Sequence, residues 1–420
     1  MVVLPIILLV MGMPIFTVLM AAASVALIYV LDLPIGLIQT ELFGSADNYN
    51  LVAVPFFILA GAIMSAGGIS ERLVNWVLSL FGGIRGSLGL TTVGACTVFS
   101  AISGSSAATV AAIGRMLYPS LLEKGYPVAV ASGFLAASGA IDVVIPPSIA
   151  MILYGVAAEE SIRYLFIGGI LPGLLMAALM AVYIYFTARR LGIREGGKFS
   201  LSNVARTTRQ GGWALGMPII ILGGIYTGVF SPTEAAGVAC LYAIVVALFI
   251  HRDLSWSGLW KVTIESVILT AQVLIIVAAA ALFARLLTIA GVPQGIASWI
   301  QEMQLSPIVV MLMINILLLL VGCVVDPASA ILVLAPILKP VVVQAGIDPI
   351  HFGVIMTVNL SIGMFTPPFG LNIFVIQGMF KVPLPTLYRG LIPVIGVNLL
   401  ALAIITAWPG LTLWLVRLIG

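Results

Sequence analysis

Gly139-Ala140-Ile141-Asp142-Val143-Val144-Ile145-Pro146-Pro147-Ser148 sets two successive prolines inside an apolar stretch. Two backbone donors are lost, and each proline biases its predecessor away from helix, so the segment breaks rather than kinks. Carbonyls upstream are left exposed, and a new helix N-terminus follows. Gly363-Met364-Phe365-Thr366-Pro367-Pro368 places the same pair 221 residues later. That shift also carries Pro119 onto Pro340, Gly125 onto Gly346, Gly169 onto Gly390 and Pro172 onto Pro393. Further upstream a shift of 223 carries Gly68 onto Gly291 and Trp76 onto Trp299. Matches concentrated on residues that bend or break helices mean a repeated backbone shape rather than a repeated side-chain chemistry. In an apolar chain, duplicated broken helices point to a transporter with its site between two halves.

The composition agrees. Hydrophobic residues make up 62% of the 420 and charged ones 8%, against about 25% charged in a soluble domain. The expected class is an all-α polytopic membrane protein. Cys96, Cys240 and Cys323 are widely separated, and His251 and His351 lie far apart, so no metal or redox spacing emerges. The net charge of +3 is small, and no nucleic-acid partner or cofactor is expected. The first residues lack a basic region before their apolar run, which argues against a cleavable leader.

Stretches near the roughly 20 residues needed to span a bilayer occupy 1–31, 51–67, 126–157, 164–187, 213–230, 235–251, 264–290, 349–379 and 388–416. Two others, about 87–119 and 306–345, are interrupted by Ser103-Gly104-Ser105-Ser106 and by Asp326-Pro327-Ala328-Ser329. Each limb is about 15 residues by this reading, short for a crossing, so both are expected to be re-entrant hairpins. At the start, either Gly12-Met13-Pro14 is a turn that makes 1–11 an extra crossing, or 1–31 is one long helix. Residues 71–84 read as an amphipathic arm in the interface.

With this topology fourteen Lys and Arg fall on one side, including Arg194 and Lys198, and only Arg163, Lys339 and Arg417 on the other. The first side is therefore cytoplasmic. The two hairpins then enter from opposite sides, which makes 1–187 and 213–420 an inverted repeat joined by the basic cytoplasmic linker 188–212.

The tip Ser103-Gly104-Ser105-Ser106 offers three hydroxyls beside a flexible glycine, an oxygen set suited to Na⁺. Close helix packing through small residues is the competing reading. Asp326, at membrane depth, needs a cation, a proton or a serine contact. The four half-helix N-termini that follow the tips and the double prolines favour an anion. Arg285 is the only basic residue inside a predicted crossing helix. It either receives a substrate carboxylate or snorkels to the headgroups. No catalytic His-Glu-x-x-His, Gly-x-Ser-x-Gly or nucleotide-loop motif occurs, so no enzyme or ATP-driven pump is expected.

Four motifs carry a family resemblance: Ser103-Gly104-Ser105-Ser106-Ala107-Ala108-Thr109; Ile145-Pro146-Pro147-Ser148 with Tyr154-Gly155-Val156; Phe166-Ile167-Gly168-Gly169-Ile170-Leu171-Pro172-Gly173; and Asn359-Leu360 through Thr366-Pro367-Pro368-Phe369-Gly370-Leu371-Asn372. Nearly end to end, the chain resembles the large membrane (M) subunit of tripartite ATP-independent periplasmic (TRAP) transporters. The resemblance implies an elevator-type permease in the bacterial inner membrane, with scaffold and transport domains each drawn from both repeats. It implies Na⁺ as coupling ion, a small four-helix membrane subunit, and a periplasmic binding protein that delivers an organic acid anion such as sialic acid or a C4-dicarboxylate. By the same resemblance one Na⁺ site comprises Ser103, Gly104, Ser105, Ser106, Gly139, Ile145 and Pro146. A second comprises Asp326, Gly363, Thr366 and Pro367. Arg285 sits where a carboxylate-recognising arginine is expected, and Ser105, Asp142, Ser148 and Asn372 are further candidates for substrate contact. One departure is Asp142, where the family commonly has glycine. The alternative is a stand-alone Na⁺/carboxylate symporter of the wider ion-transporter class.

Overall fold

Serine and aspartate start the helices of this apolar chain. In a computed structural model that describes residues 3–193 and 199–419, Ser148, Ser161, Ser200, Ser231 and Ser255 each accept a hydrogen bond from a backbone N–H in the first helical turn. Asp326 and Asp348 do the same. Ser231 and Glu234 form a complete capping box. Among the described residues the regular structure is all helical, with no strand. Arg194 and Lys198 of the charge count lie outside the described residues.

Six helices among the described residues are long and apolar enough to cross a bilayer: Tyr49–Ala66, Ile162–Arg190, Pro232–Ile250, Trp256–Ile289, Pro327–Gln344 and Leu384–Ala407. The N-terminal stretch is not one long helix. Val3–Val10 turns at Gly12, which has a φ of +74°, into Ile15–Tyr29. Eight residues rise only about 12 Å, so Val3–Val10 alone does not span the hydrocarbon. The basic linker is shorter than its apolar limits suggest, because Ile162–Arg190 and Leu201–Tyr226 both continue into it.

Both halves then run through the same order of elements. Gly68 and Gly291, at φ of +66° and +70°, open the short helices Ile69–Leu80 and Val292–Glu302. Ile69–Leu80 buries Ile69, Leu73, Val74 and Val77, the one-sided pattern expected of an amphipathic arm. A helical hairpin follows in each half: Ser87–Ser103 with Ser106–Glu123, and Pro307–Gly322 with Pro327–Gln344. The limbs are 16 to 18 residues, longer than the expected 15, because they continue into polar ends at Glu123 and Gln344. Next come the interrupted helices, Val128–Ala140 with Ile149–Ala157, and Pro349–Gly363 with Leu371–Phe380. The peptide bonds Pro146–Pro147 and Pro367–Pro368 are both cis.

The helices pack in two sets around two centres, and Pro327–Gln344 joins them by lying against Trp256–Ile289 as well. Ile15–Tyr29, Gly36–Ala46 and Ala53–Ala66 gather on the 34-residue helix Trp256–Ile289, and Pro232–Val245 packs on Ala53–Ala66. The second set joins the hairpins to the interrupted helices and to Leu384–Ala407. Its tightest joint lies between Val128–Ala140 and Leu384–Ala407. A Cβ on Gly390 would sit 1.8 Å from the Ala129 carbonyl oxygen, so the backbones touch there. Ion pairs join Arg72 to Asp253 at 2.6 Å and Lys339 to Glu160 at 2.7 Å.

Candidate functional site

The first hairpin tip is built by one glycine. Ser87–Ser103 ends at Gly104 in the left-handed region, φ +60°, and extended Ser105 starts the return limb. Across this turn the Ser103 hydroxyl donates to the Ser105 carbonyl oxygen, and the Ser105 N–H lies at hydrogen-bond distance from Ser103 Oγ, both 3.3 Å. A Cβ on Gly104 would lie 3.3 Å from the Pro147 carbonyl oxygen. The structure therefore brings the first tip against the Pro146-Pro147 break.

Behind the tip, Asp142 sits in a single 3-10 turn, Ile141–Val143, between the helix end at Ala140 and the prolines. It is fully buried. Thr109 donates to Oδ2, and Oδ1 has no hydrogen-bond partner. Ser148 caps Ile149–Ala157 by accepting from the Met151 N–H, and it also donates to the Val143 carbonyl. Ser106 is drawn across the molecule, where its hydroxyl meets the Asn372 side chain at 2.9–3.0 Å. Asn372 also donates to the Ala136 carbonyl at 2.9 Å. The segment after the second break is thereby fastened to the first hairpin and first broken helix.

The second tip is assembled differently. Both Asp326 oxygens accept from Ser329, one from its hydroxyl at 2.6 Å and one from its N–H at 3.0 Å. A Cβ on Gly363 would lie 2.4 Å from the Gly322 carbonyl carbon, so this break also meets its own hairpin backbone to backbone. Thr366 donates to the Ile362 carbonyl at 2.7 Å. A polar chain missed in the sequence lies nearby: Asn359 donates to Asn315 at 2.6 Å, and Asn315 to Thr406 at 3.2 Å. Asn315, alone in an apolar limb, was the signal available for it.

Arg285 occupies a separate place. Its Nε lies 3.2 Å from Glu41, and its side chain is 49% exposed. The pair lines a cavity of about 300 Å³ between Gly36–Ala46, the long helix, the end of the first broken helix at Ala157, and the second hairpin at Leu332 and Pro336. Ser45, Asn48 and Thr288 add polar groups to its wall. The cavity thus opens between the two helix sets. None of Ser103, Ser105, Asp142, Ser148 and Asn372 lines it, so the arginine and the first tip do not share one pocket. The partner of Glu41, 244 positions away, becomes visible only in the fold.

Residues 2–411 match the model of the family described as the tripartite ATP-independent periplasmic transporter, DctM component. The chain belongs to this family. A C4-dicarboxylate TRAP transporter large permease protein from Pseudomonas aeruginosa is 43% identical over 380 residues, covering 90% of this chain and 89% of that protein. A sialic acid TRAP transporter large permease protein from Vibrio cholerae is 36% identical, with 97% and 95% covered. The fold is that of the Alcanivorax borkumensis YdaH transporter, with a TM-score of 0.67, 16% identity, and 97% and 98% of the two chains covered. As a TRAP large permease the chain is an integral inner-membrane protein, and its family is one of transporters rather than enzymes.

Proposed function

We propose that this permease imports an organic acid anion by Na⁺ symport. In this reading its two halves form an inverted repeat, and the set of hairpins and broken helices moves against the set built on Trp256–Ile289. The carrying observation is that each hairpin tip lies on its own proline break, at Gly104 against Pro147 and at Gly322 against Gly363. Broken helices whose ends meet at such points supply carbonyl oxygens and hydroxyls for cations, and helix N-termini for an anion. The groups at the first tip fit Na⁺ as cargo: they are hydroxyl and carbonyl oxygens, hard ligands for a hard ion. The second fit rests on Asp326, Gly363, Thr366 and Pro367.

Arg285 is the carboxylate-binding group in this reading, in the cleft between fixed and moving parts. The cargo class in this reading, a C4-dicarboxylate or sialic acid, is taken from the relatives named for those acids. A periplasmic binding protein delivers the anion and a small membrane subunit completes the complex. The exposed apolar side of the long helix, including Ile264, Val267, Ile268 and Leu269, suits contact with lipid and with that subunit. Each net charge moved inward through 100 mV releases about 2.3 kcal/mol, enough to concentrate an anion when more than one Na⁺ accompanies it.

Substituting Ser103, Ser105 or Asp326 with alanine tests the assignment. With the cognate subunits in proteoliposomes, each change should raise the Na⁺ concentration for half-maximal uptake by about tenfold, the equivalent of 1.4 kcal/mol of lost coordination. Wild-type Na⁺ dependence in all three variants would refute the assignment.

A further inference from the structure

Asp142 is the only Asp or Glu side chain that is buried among the described residues. Its Oδ2 is held by Thr109, and its Oδ1 has no partner. The ion pairs found among the described residues, Arg72 with Asp253, Arg285 with Glu41 and Lys339 with Glu160, all lie elsewhere. No basic side chain therefore balances this carboxylate. A carboxylate with one bare oxygen, enclosed in a low-dielectric interior, is balanced by a bound cation or else carries a proton.

Its surroundings favour the cation. The Ser100 and Ser103 side chains and the Ser105 amide lie beside the carboxylate, so Asp142 backs directly onto the first hairpin tip. With Thr109 these groups form an oxygen-rich wall on one side, and the helix interrupted at Ala140 provides the other. No three His, Cys, Asp or Glu side chains converge among the described residues, so the donor set is one carboxylate with hydroxyls and carbonyls. Such a set suits a hard monovalent ion.

We infer that Asp142 gives the first tip a charged ligand, so that Na⁺ binds there as a neutralised pair and not through hydroxyls and carbonyls alone. The inference rests on the Na⁺-symport reading and deepens it. It moves Asp142 from the substrate candidates to the cation site.

The test reads binding without transport. Thermal unfolding of the purified permease in detergent is followed against NaCl, with choline chloride holding the ionic strength constant. Asp142→Asn keeps the shape and the hydrogen bond to Thr109 but removes the charge. The expected result is Na⁺-dependent stabilisation of the wild type and a half-saturating Na⁺ concentration at least tenfold higher in Asp142→Asn. Asp142→Ser, smaller and also neutral, should show the same shift and serves if the asparagine variant does not fold. Unchanged half-saturation in a folded neutral variant would overturn the inference while leaving Na⁺ binding intact, since it would mean that Asp142 is protonated in the native protein. Absence of Na⁺-dependent stabilisation in the wild type would overturn the symport reading, and this inference with it.

Discussion

Arg285→Glu is expected to lower the apparent affinity for the transported anion by at least 100-fold in reconstituted uptake. The guanidinium is the one basic group in the cavity between the helix sets, and its present partner is Glu41 at 3.2 Å. In the proposed reading the bound anion pairs with Arg285 away from water, and truncating one member of such a buried, hydrogen-bonded charge pair costs about 2–5 kcal/mol. Reversing the charge adds repulsion, so about 3 kcal/mol is a lower figure, and at 1.4 kcal/mol per tenfold this exceeds 100-fold. Glu41→Gln is the matching control. Because Arg285 is half exposed before the anion arrives, its pairing with Glu41 contributes at most about 1 kcal/mol. Releasing that pair should raise anion affinity by no more than about fivefold. Unaltered transport by Arg285→Glu would assign the side chain to the headgroups instead.

Gly390→Ala is expected to cost at least about 3 kcal/mol, because the added methyl would enter the Ala129 carbonyl rather than a side chain that can turn away. Gly133 on the facing helix is equally tight, with a Cβ 2.4 Å from the Gly390 carbonyl oxygen. Neither helix can yield alone. The measurement is the thermal midpoint of the purified permease, which should fall by several degrees or be lost to aggregation, with uptake falling in parallel. A wild-type midpoint would mean that the two helices do not cross this closely.

Much of this was readable in the chain because helix breakers act locally. Proline pairs announce the two interruptions, and the glycines matched in the repeat, Gly68 and Gly291, each open a helix from the left-handed region. Gly104 between serines predicts the first tip. What the chain concealed depends on long-range packing. Glu41 and Arg285 meet only because Gly36–Ala46 lies along the long helix. The Asn359–Asn315–Thr406 chain spans three segments whose neighbours in sequence are all apolar. The helices run past the expected limits of 188–212, to Arg190 on one side and from Leu201 on the other, because Arg189, Arg190, Arg206 and Arg209 read as linker by polarity yet lie within helices. Of the two readings of the N-terminal stretch, the turn at Gly12 is the one found, and Val3–Val10 is too short to cross alone.

The central claim is that two equivalent hairpins reach the site from opposite faces of the membrane. Glu123 and Gln344 are equivalent exposed positions at their outer ends, 221 residues apart. Single cysteines at these two sites, in a background lacking Cys96, Cys240 and Cys323, can be tested with an impermeant maleimide on right-side-out and inverted vesicles. The account predicts that Glu123→Cys reacts only from the cytoplasmic face and Gln344→Cys only from the periplasmic face. Reaction of both from the same face would contradict it.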